Sequence, residues 1–145
     1  MNTMNASNAM MASSTMKAYK WLVAGFWIFT GLFCLEMIFT AYWELLVLPQ
    51  AAEAFTRLGF PSAWFRAELS LAKVAGVAVL LVPMVPARFK EWAYAGFAIN
   101  LVSAIIAHLS ISDRPAAFVP STTTSVLWGI SYYFWRRLQA TPASA

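Results

Sequence analysis

Leu69-Ser70-Leu71-Ala72-Lys73-Val74-Ala75-Gly76-Val77-Ala78-Val79-Leu80-Leu81-Val82 is an apolar run with a single charge inside it. Its composition predicts a membrane-spanning helix over roughly 62–82, preceded by Gly59-Phe60-Pro61 and closed by Pro83 and Pro86. Pro61 suits the first helical turn, where a missing N–H is no loss. An ammonium at the depth of Lys73 costs about 2.5–3.5 kcal/mol on insertion scales. Such a residue persists when it is paired, hydrated, neutral or needed. The run therefore announces a membrane protein with a polar site, without naming a reaction.

The rest of the chain fits that reading. Of 145 residues, 61% are hydrophobic and 11% charged, against about 45–50% and about 25% in a soluble domain. The apolar residues fall in long runs rather than on one face, which points to lipid as solvent. Three more runs predict helices near 19–48, 91–110 and 121–138. The expectation is an all-α, four-helix transmembrane bundle over residues 18–138. Residues 1–17, dominated by Asn, Ser, Thr, Ala and Met, read as a disordered tail, and 139–145 as a second one. The connection from Pro49 to Gly59 carries Glu53 and Arg57 and has the makings of a short interfacial helix. Glu91 is expected at the N-terminus of the third span, where the helix dipole favours an anion.

The net charge of +4 does not signal nucleic acid, because the basic residues sit at the ends of the runs. Lys17, Lys20, Arg88, Lys90, Arg136 and Arg137 fall on one side; Arg57, Arg66 and Arg114 fall on the other. That asymmetry places both termini in the cytoplasm. Cys34 is the sole cysteine, which excludes an internal disulfide and a CxxC pair, and it reads as a small buried hydrophobe. No GxGxxG, P-loop or GxSxG pattern is present, no metal-ligand spacing occurs, and the chain offers no evident catalytic residue.

Helix rise converts position to depth. Counted from a common outer level near Leu48, Ser62 and Ser110, Glu36 lies about 18 Å deep, Lys73 about 16 Å and Asn100 about 15 Å. Glu36, Lys73 and Asn100 thus form a candidate midplane polar cluster, with Glu36 as the partner of Lys73. Such a cluster serves either as packing glue or as a binding site. Glu44, Glu68, His108 and Asp113, with Arg66, form a second set near the outer surface. Two readings stand for it: an interfacial ion-pair network, or a proton-shuttling or metal-binding group.

The segments Thr30-Gly31-Leu32-Phe33-Cys34-Leu35-Glu36-Met37, Leu58-Gly59-Phe60-Pro61, Leu71-Ala72-Lys73-Val74-Ala75-Gly76 and Phe89-Lys90-Glu91-Trp92-Ala93-Tyr94-Ala95-Gly96-Phe97, then His108 and Asp113, together resemble the DoxX-like family of small bacterial membrane proteins. The resemblance spans roughly Trp21 to Leu138, and Lys90–Gly96 is its most specific part. It implies a four-helix integral protein of the inner membrane. Glu36, Lys73, Glu91, Trp92, Tyr94, Gly96, His108 and Asp113 fall on family positions. Ser112 stands where glycine is expected, and Asn100 where the family often has Asp. The wider group includes a subunit of a thiosulfate:quinone oxidoreductase.

Three functions remain open at this point. The chain is an accessory or redox-associated membrane subunit without catalytic activity of its own. Alternatively, it is an oxidoreductase subunit that binds a quinone or similar lipophile at the midplane cluster. In the third case it is a small transporter or proton path, for which the chain is short unless it self-associates. The partners these readings imply are the lipid bilayer, a soluble or membrane oxidoreductase, and further copies of the chain.

Overall fold

The computed structural model describes residues 2–46 and 49–141, with side chains described from residue 13 onward. The described residues contain helices and no strand: α1 (Asn2–Leu45), α2 (Pro49–Arg57), α3 (Ala63–Leu81), α4 (Ala87–Ser110) and α5 (Val119–Ala140), with a 3-10 turn at Pro115–Phe118 leading into α5. α1 packs against α3 on one side and α5 on the other, and α4 closes the ring between α3 and α5. Each long helix sends a large side chain to the centre: Phe33, Leu80, Phe97 and Trp135 are all nearly fully buried.

Punctuation in the sequence explains most boundaries. Pro49 cannot continue α1 and instead opens α2, where its fixed φ is an asset. Ser62 caps α3 by accepting the N–H of Phe65 at 3.3 Å. Pro61 therefore lies just outside the helix, not in its first turn as the sequence predicts. Phe60 stacks on Phe65 across that cap, with ring centroids 5.0 Å apart. α4 starts at Ala87, so Glu91 lies a turn inside it and pairs instead with Arg136 on α5 at 2.7 Å.

α1 differs most from expectation. It begins at Asn2 rather than near residue 19, so helical backbone extends through the stretch whose composition suggests a tail. Once a helix is nucleated, each added residue gains a hydrogen bond for two dihedrals fixed, and no Gly or Pro occurs before Gly25 to interrupt it. At 1.5 Å per residue α1 runs about 66 Å, well beyond a bilayer core of about 30 Å. α5 ends at Ala140; residues 47, 48 and 142–145, part of the expected first span and second tail, lie outside the described residues.

Ser13–Leu45 of α1 and α4 are the two helices among the described residues long and apolar enough to cross a membrane. α3 carries Arg66, Glu68 and Lys73 within 19 residues. The outer surface nonetheless remains apolar along three helices: Leu35, Trp64, Leu71, Ile99 and Ile106 are each more than half exposed. A soluble monomer rarely leaves so much large hydrophobic surface to water, and these are the features of a small membrane protein.

Candidate functional site

Arg66, Ser70, Lys73, Val77 and Leu80 are the buried residues of α3. Their spacing of four and three puts them on one stripe facing α1. The upper half of that stripe is polar, and α1 meets it with its last turn. Glu44 Oε1 accepts from Lys73 Nζ at 2.5 Å, and Glu44 Oε2 accepts from Ser70 Oγ at 2.9 Å. Arg66 Nε donates to the Glu44 carbonyl at 3.1 Å, placing a cation at the C-terminal end of α1, where the helix dipole favours it. Lys73 is 6% exposed. The midplane charge thus has its counter-ion, and the carboxylate has a second donor.

That partner is not Glu36. Glu36 Oε1 instead accepts from Thr124 Oγ1 at 2.5 Å, across the α1–α5 seam, while Thr124 also donates to the Pro120 carbonyl at 2.8 Å. The expected trio is therefore split: Lys73 and Asn100 share a cleft, and Glu36 lies elsewhere. The reason is the direction of the side chains. Arg66, three residues into α3, is already level with the end of α1, where it meets the Glu44 carbonyl. Helical side chains lean toward their own N-terminus, so with the end of α1 against the start of α3 Glu44 leans inward and Lys73, two turns deeper than Arg66, leans outward to meet it. Glu68 is corrected too. It is two residues from both Arg66 and Ser70, hence on the opposite face, and it is exposed.

The cleft lies between α3 and α4 and has a volume of about 450 Å³. Lys73 and Glu44 stand at one wall, Asn100 and His108 on α4, and Phe55, Leu58 and Phe60 reach in from α2 and the turn after it. A smaller cavity of about 220 Å³ shares Leu69, Lys73, Gly96 and Asn100 with it and extends toward Trp92 and Phe97. Both volumes are of ligand-binding scale or adjoin one that is. Among the described residues the Asn100 side chain has no hydrogen-bond partner.

Two helix ends with the same backbone pattern shape the outer part of the cleft. At the end of α2, the Phe60 N–H donates to the Phe55 carbonyl at 2.8 Å and the Gly59 N–H to Thr56 at 3.0 Å, with Gly59 at φ 88°. At the end of α4, the Asp113 N–H donates to the His108 carbonyl at 3.1 Å and the Ser112 N–H to Leu109 at 3.0 Å, with Ser112 at φ 50°. Both are Schellman closures, which bring the side chains five residues apart together. The first joins Phe55 and Phe60 in the cleft wall. The second joins His108 to Asp113. It also explains why glycine suits position 112, since a left-handed backbone costs a side-chain-bearing residue about 1–2 kcal/mol.

His108 Nδ1 lies 2.8 Å from Asp113 Oδ2. Asp113 also accepts from Arg57 Nη1 at 3.1 Å and from the Arg114 N–H at 2.9 Å, and its Oδ2 forms an ion pair with Arg57 Nη2 at 2.9 Å. The hydrogen bond from His108, then that from the Arg114 N–H, hold its carboxyl below the usual carboxylate range. Of the second expected set, His108 and Asp113 are a true pair, tied through Arg57 to the end of α2. Glu44 belongs with Lys73.

A further polar network escapes the sequence reading altogether. Ser131 Oγ lies 2.7 Å from both Thr30 Oγ1 and Tyr94 Oη, joining α5, α1 and α4. Trp128 Nε1 donates to the Tyr94 carbonyl at 3.0 Å. Lys90 Nζ is buried against the Leu80 carbonyl at 3.1 Å, near the C-terminus of α3. Single hydroxyls scattered through apolar runs carry no spacing signal. Arg66, Ser70 and Lys73 do, since a four-then-three spacing on one helix is readable.

Neither a curated protein nor a solved structure matches the chain. The family comparison does: the profile of the DoxX-like family matches residues 28–130, which takes in α1 from its middle, the whole cleft, and the first half of α5. With so much of its length matched, the chain belongs to the DoxX-like family.

Proposed function

We propose that the chain is a four-span inner-membrane protein, both termini cytoplasmic, that binds an oxygen-bearing lipophile of quinone type in the α3–α4 cleft and acts as an accessory subunit of a membrane redox assembly. The observation that carries this reading is the cleft itself. Its walls are largely apolar, and its polar groups are few and convergent: the Lys73–Glu44 pair, the Asn100 amide and His108. That is the usual construction of a small-molecule site, with apolar walls supplying area and a few polar groups supplying orientation. The lysine keeps two N–H donors beyond the one aimed at Glu44, and a carbonyl oxygen is a natural acceptor for them.

The placement of the α3 charges supports four spans: Glu68, which is exposed, lies within two turns of the helix N-terminus and so near the membrane edge. Lys73 and Arg66 are satisfied inside the ring, so α3, about 28 Å long, matches the hydrocarbon thickness without exposing them to lipid. α5, at 22 residues, is long enough as well and ends in Arg136 and Arg137. Reporter fusions at residue 1 and residue 145 are expected to report from the cytoplasm. An exported reporter at either end would overturn the topology.

Gly96 gives a clean test of the cleft. It lines both cavities, and a Cβ built there meets no atom within 4 Å. Gly96→Leu should fill the cleft and, by replacing a helical glycine, leave stability equal or up to about 1 kcal/mol higher. Solvent extraction and mass spectrometry of protein purified in mild detergent should recover a near-stoichiometric oxygenated lipophile from the wild type and not from Gly96→Leu. Equal recovery from both would sink the reading.

A further inference from the structure

The geometry points to His108 as the hydrogen-bond acceptor at the outer end of the cleft, and so to an occupant that carries a hydroxyl group there, a phenol or the reduced form of a quinone in preference to the quinone itself. This rests on the cleft being a ligand site.

Every polar contact of Asp113 comes from a donor: hydrogen bonds from Arg57, from the Arg114 N–H and with His108 Nδ1, and an ion-pair contact with the second terminal nitrogen of Arg57. A carboxylate in that position has only acceptor capacity to offer, so the imidazole must present Nδ1–H. In a neutral imidazole the other nitrogen then carries the lone pair, because the bond made by one ring nitrogen sets the state of the other. With the ring neutral, Nε2 is an acceptor, and among the described residues it has no hydrogen-bond partner. Phe118 packs against the ring at 5.6 Å and the Schellman closure fixes the backbone, so the imidazole has little freedom to turn away.

At the other end Lys73 has only donors to offer and the Asn100 amide supplies two N–H groups beside its oxygen, while the Glu44 carboxylate there is engaged by Lys73 and Ser70. Asn100 and His108 lie two turns apart on α4, about 12 Å along the axis. A six-membered ring with an oxygen at each end, hydrogen-bonded through both, spans a comparable length. A quinone satisfies the Lys73–Asn100 end but meets Nε2 with a second acceptor. A hydroxyl at that end donates to Nε2 and satisfies both.

The test compares 1-naphthol with 1-methoxynaphthalene, which differ only in the donating hydrogen and its methyl replacement. Binding of each to the detergent-solubilised full chain is measured by titration calorimetry, and the readout is the ratio of the two affinities, which is insensitive to the fraction of protein folded. The wild type is expected to favour naphthol about tenfold, the value of one well-placed hydrogen bond. His108→Leu should abolish the preference. Asp113→Asn is the conservative second variant. The Arg57 and Arg114 donors would claim its one oxygen and turn its NH2 toward Nδ1, converting Nε2 to a donor, so the preference should fall to about twofold or less. A tenfold preference that survives His108→Leu would overturn the assignment. Equal binding of both probes by the wild type, blocked by Gly96→Leu, would overturn the role of His108 and leave the cleft as a site. Absence of binding, or binding indifferent to Gly96→Leu, would remove the site and the inference with it.

Discussion

Glu44→Leu is expected to destabilise the fold by about 3–5 kcal/mol, a fall in apparent melting temperature in detergent of roughly 10–20 °C. The substitution leaves Lys73, 6% exposed, without a counter-charge and removes one of the two acceptors of Ser70. Losing one partner of a buried pair is far more costly than losing both, since the remaining ion keeps its desolvation penalty with nothing to offset it. Lys73→Met in the Glu44→Leu background should therefore recover most of the loss. Glu36→Leu provides the contrast. Thr124 keeps its bond to the Pro120 carbonyl, so the expected cost is about 1–2 kcal/mol. If Glu36→Leu proved as damaging as Glu44→Leu, the pairing described for α1 and α3 would be wrong.

The same pair shows what a sequence can and cannot convey in lipid. The helices were readable because apolar runs are long and Pro49, Pro61, Pro83 and Pro86 punctuate them. α2 was readable in outline, since Glu53 and Arg57 interrupt an otherwise apolar chain. The expense of Lys73 was equally plain, and so was the need for a carboxylate. Which carboxylate was a matter of side-chain reach. Helix rise gives the depth of each Cα, but Lys and Glu carry their charges well away from it, along the direction in which each side chain leans. Here Arg66 and Lys73, two turns apart on α3, both reach Glu44.

The His108–Asp113 pair lies at the other extreme. Its two members are five residues apart, and a helix C-terminus with a left-handed residue between them brings them into contact by local geometry alone. No tertiary knowledge is needed for that contact. What the sequence lacked was the mark of the left-handed position, because Ser112 stands where glycine would have signalled it. Arg57, which completes the group, comes from a different connection and could not have been assigned to Asp113 by spacing.

Ser131→Ala should cost about 1–3 kcal/mol. Thr30 and Ser131 are 0% exposed and Tyr94 is 1% exposed, and Ser131 bonds to both of the others. The Thr30 and Tyr94 hydroxyls also interact with each other, so removing the Ser131 hydroxyl takes one partner from each and leaves them only that direct contact. In Tyr94→Phe, Ser131 and Thr30 still satisfy each other, so the expected cost is about 0.5–1.5 kcal/mol. The triple replacement Thr30→Val, Ser131→Ala and Tyr94→Phe should be less destabilised than Ser131→Ala alone, since no orphaned hydroxyl remains among the three positions. Thermal unfolding of the four proteins in one detergent decides this. Costs that simply add across the three positions would show that these hydroxyls act independently, and that α1, α4 and α5 are held in register by their apolar contacts alone.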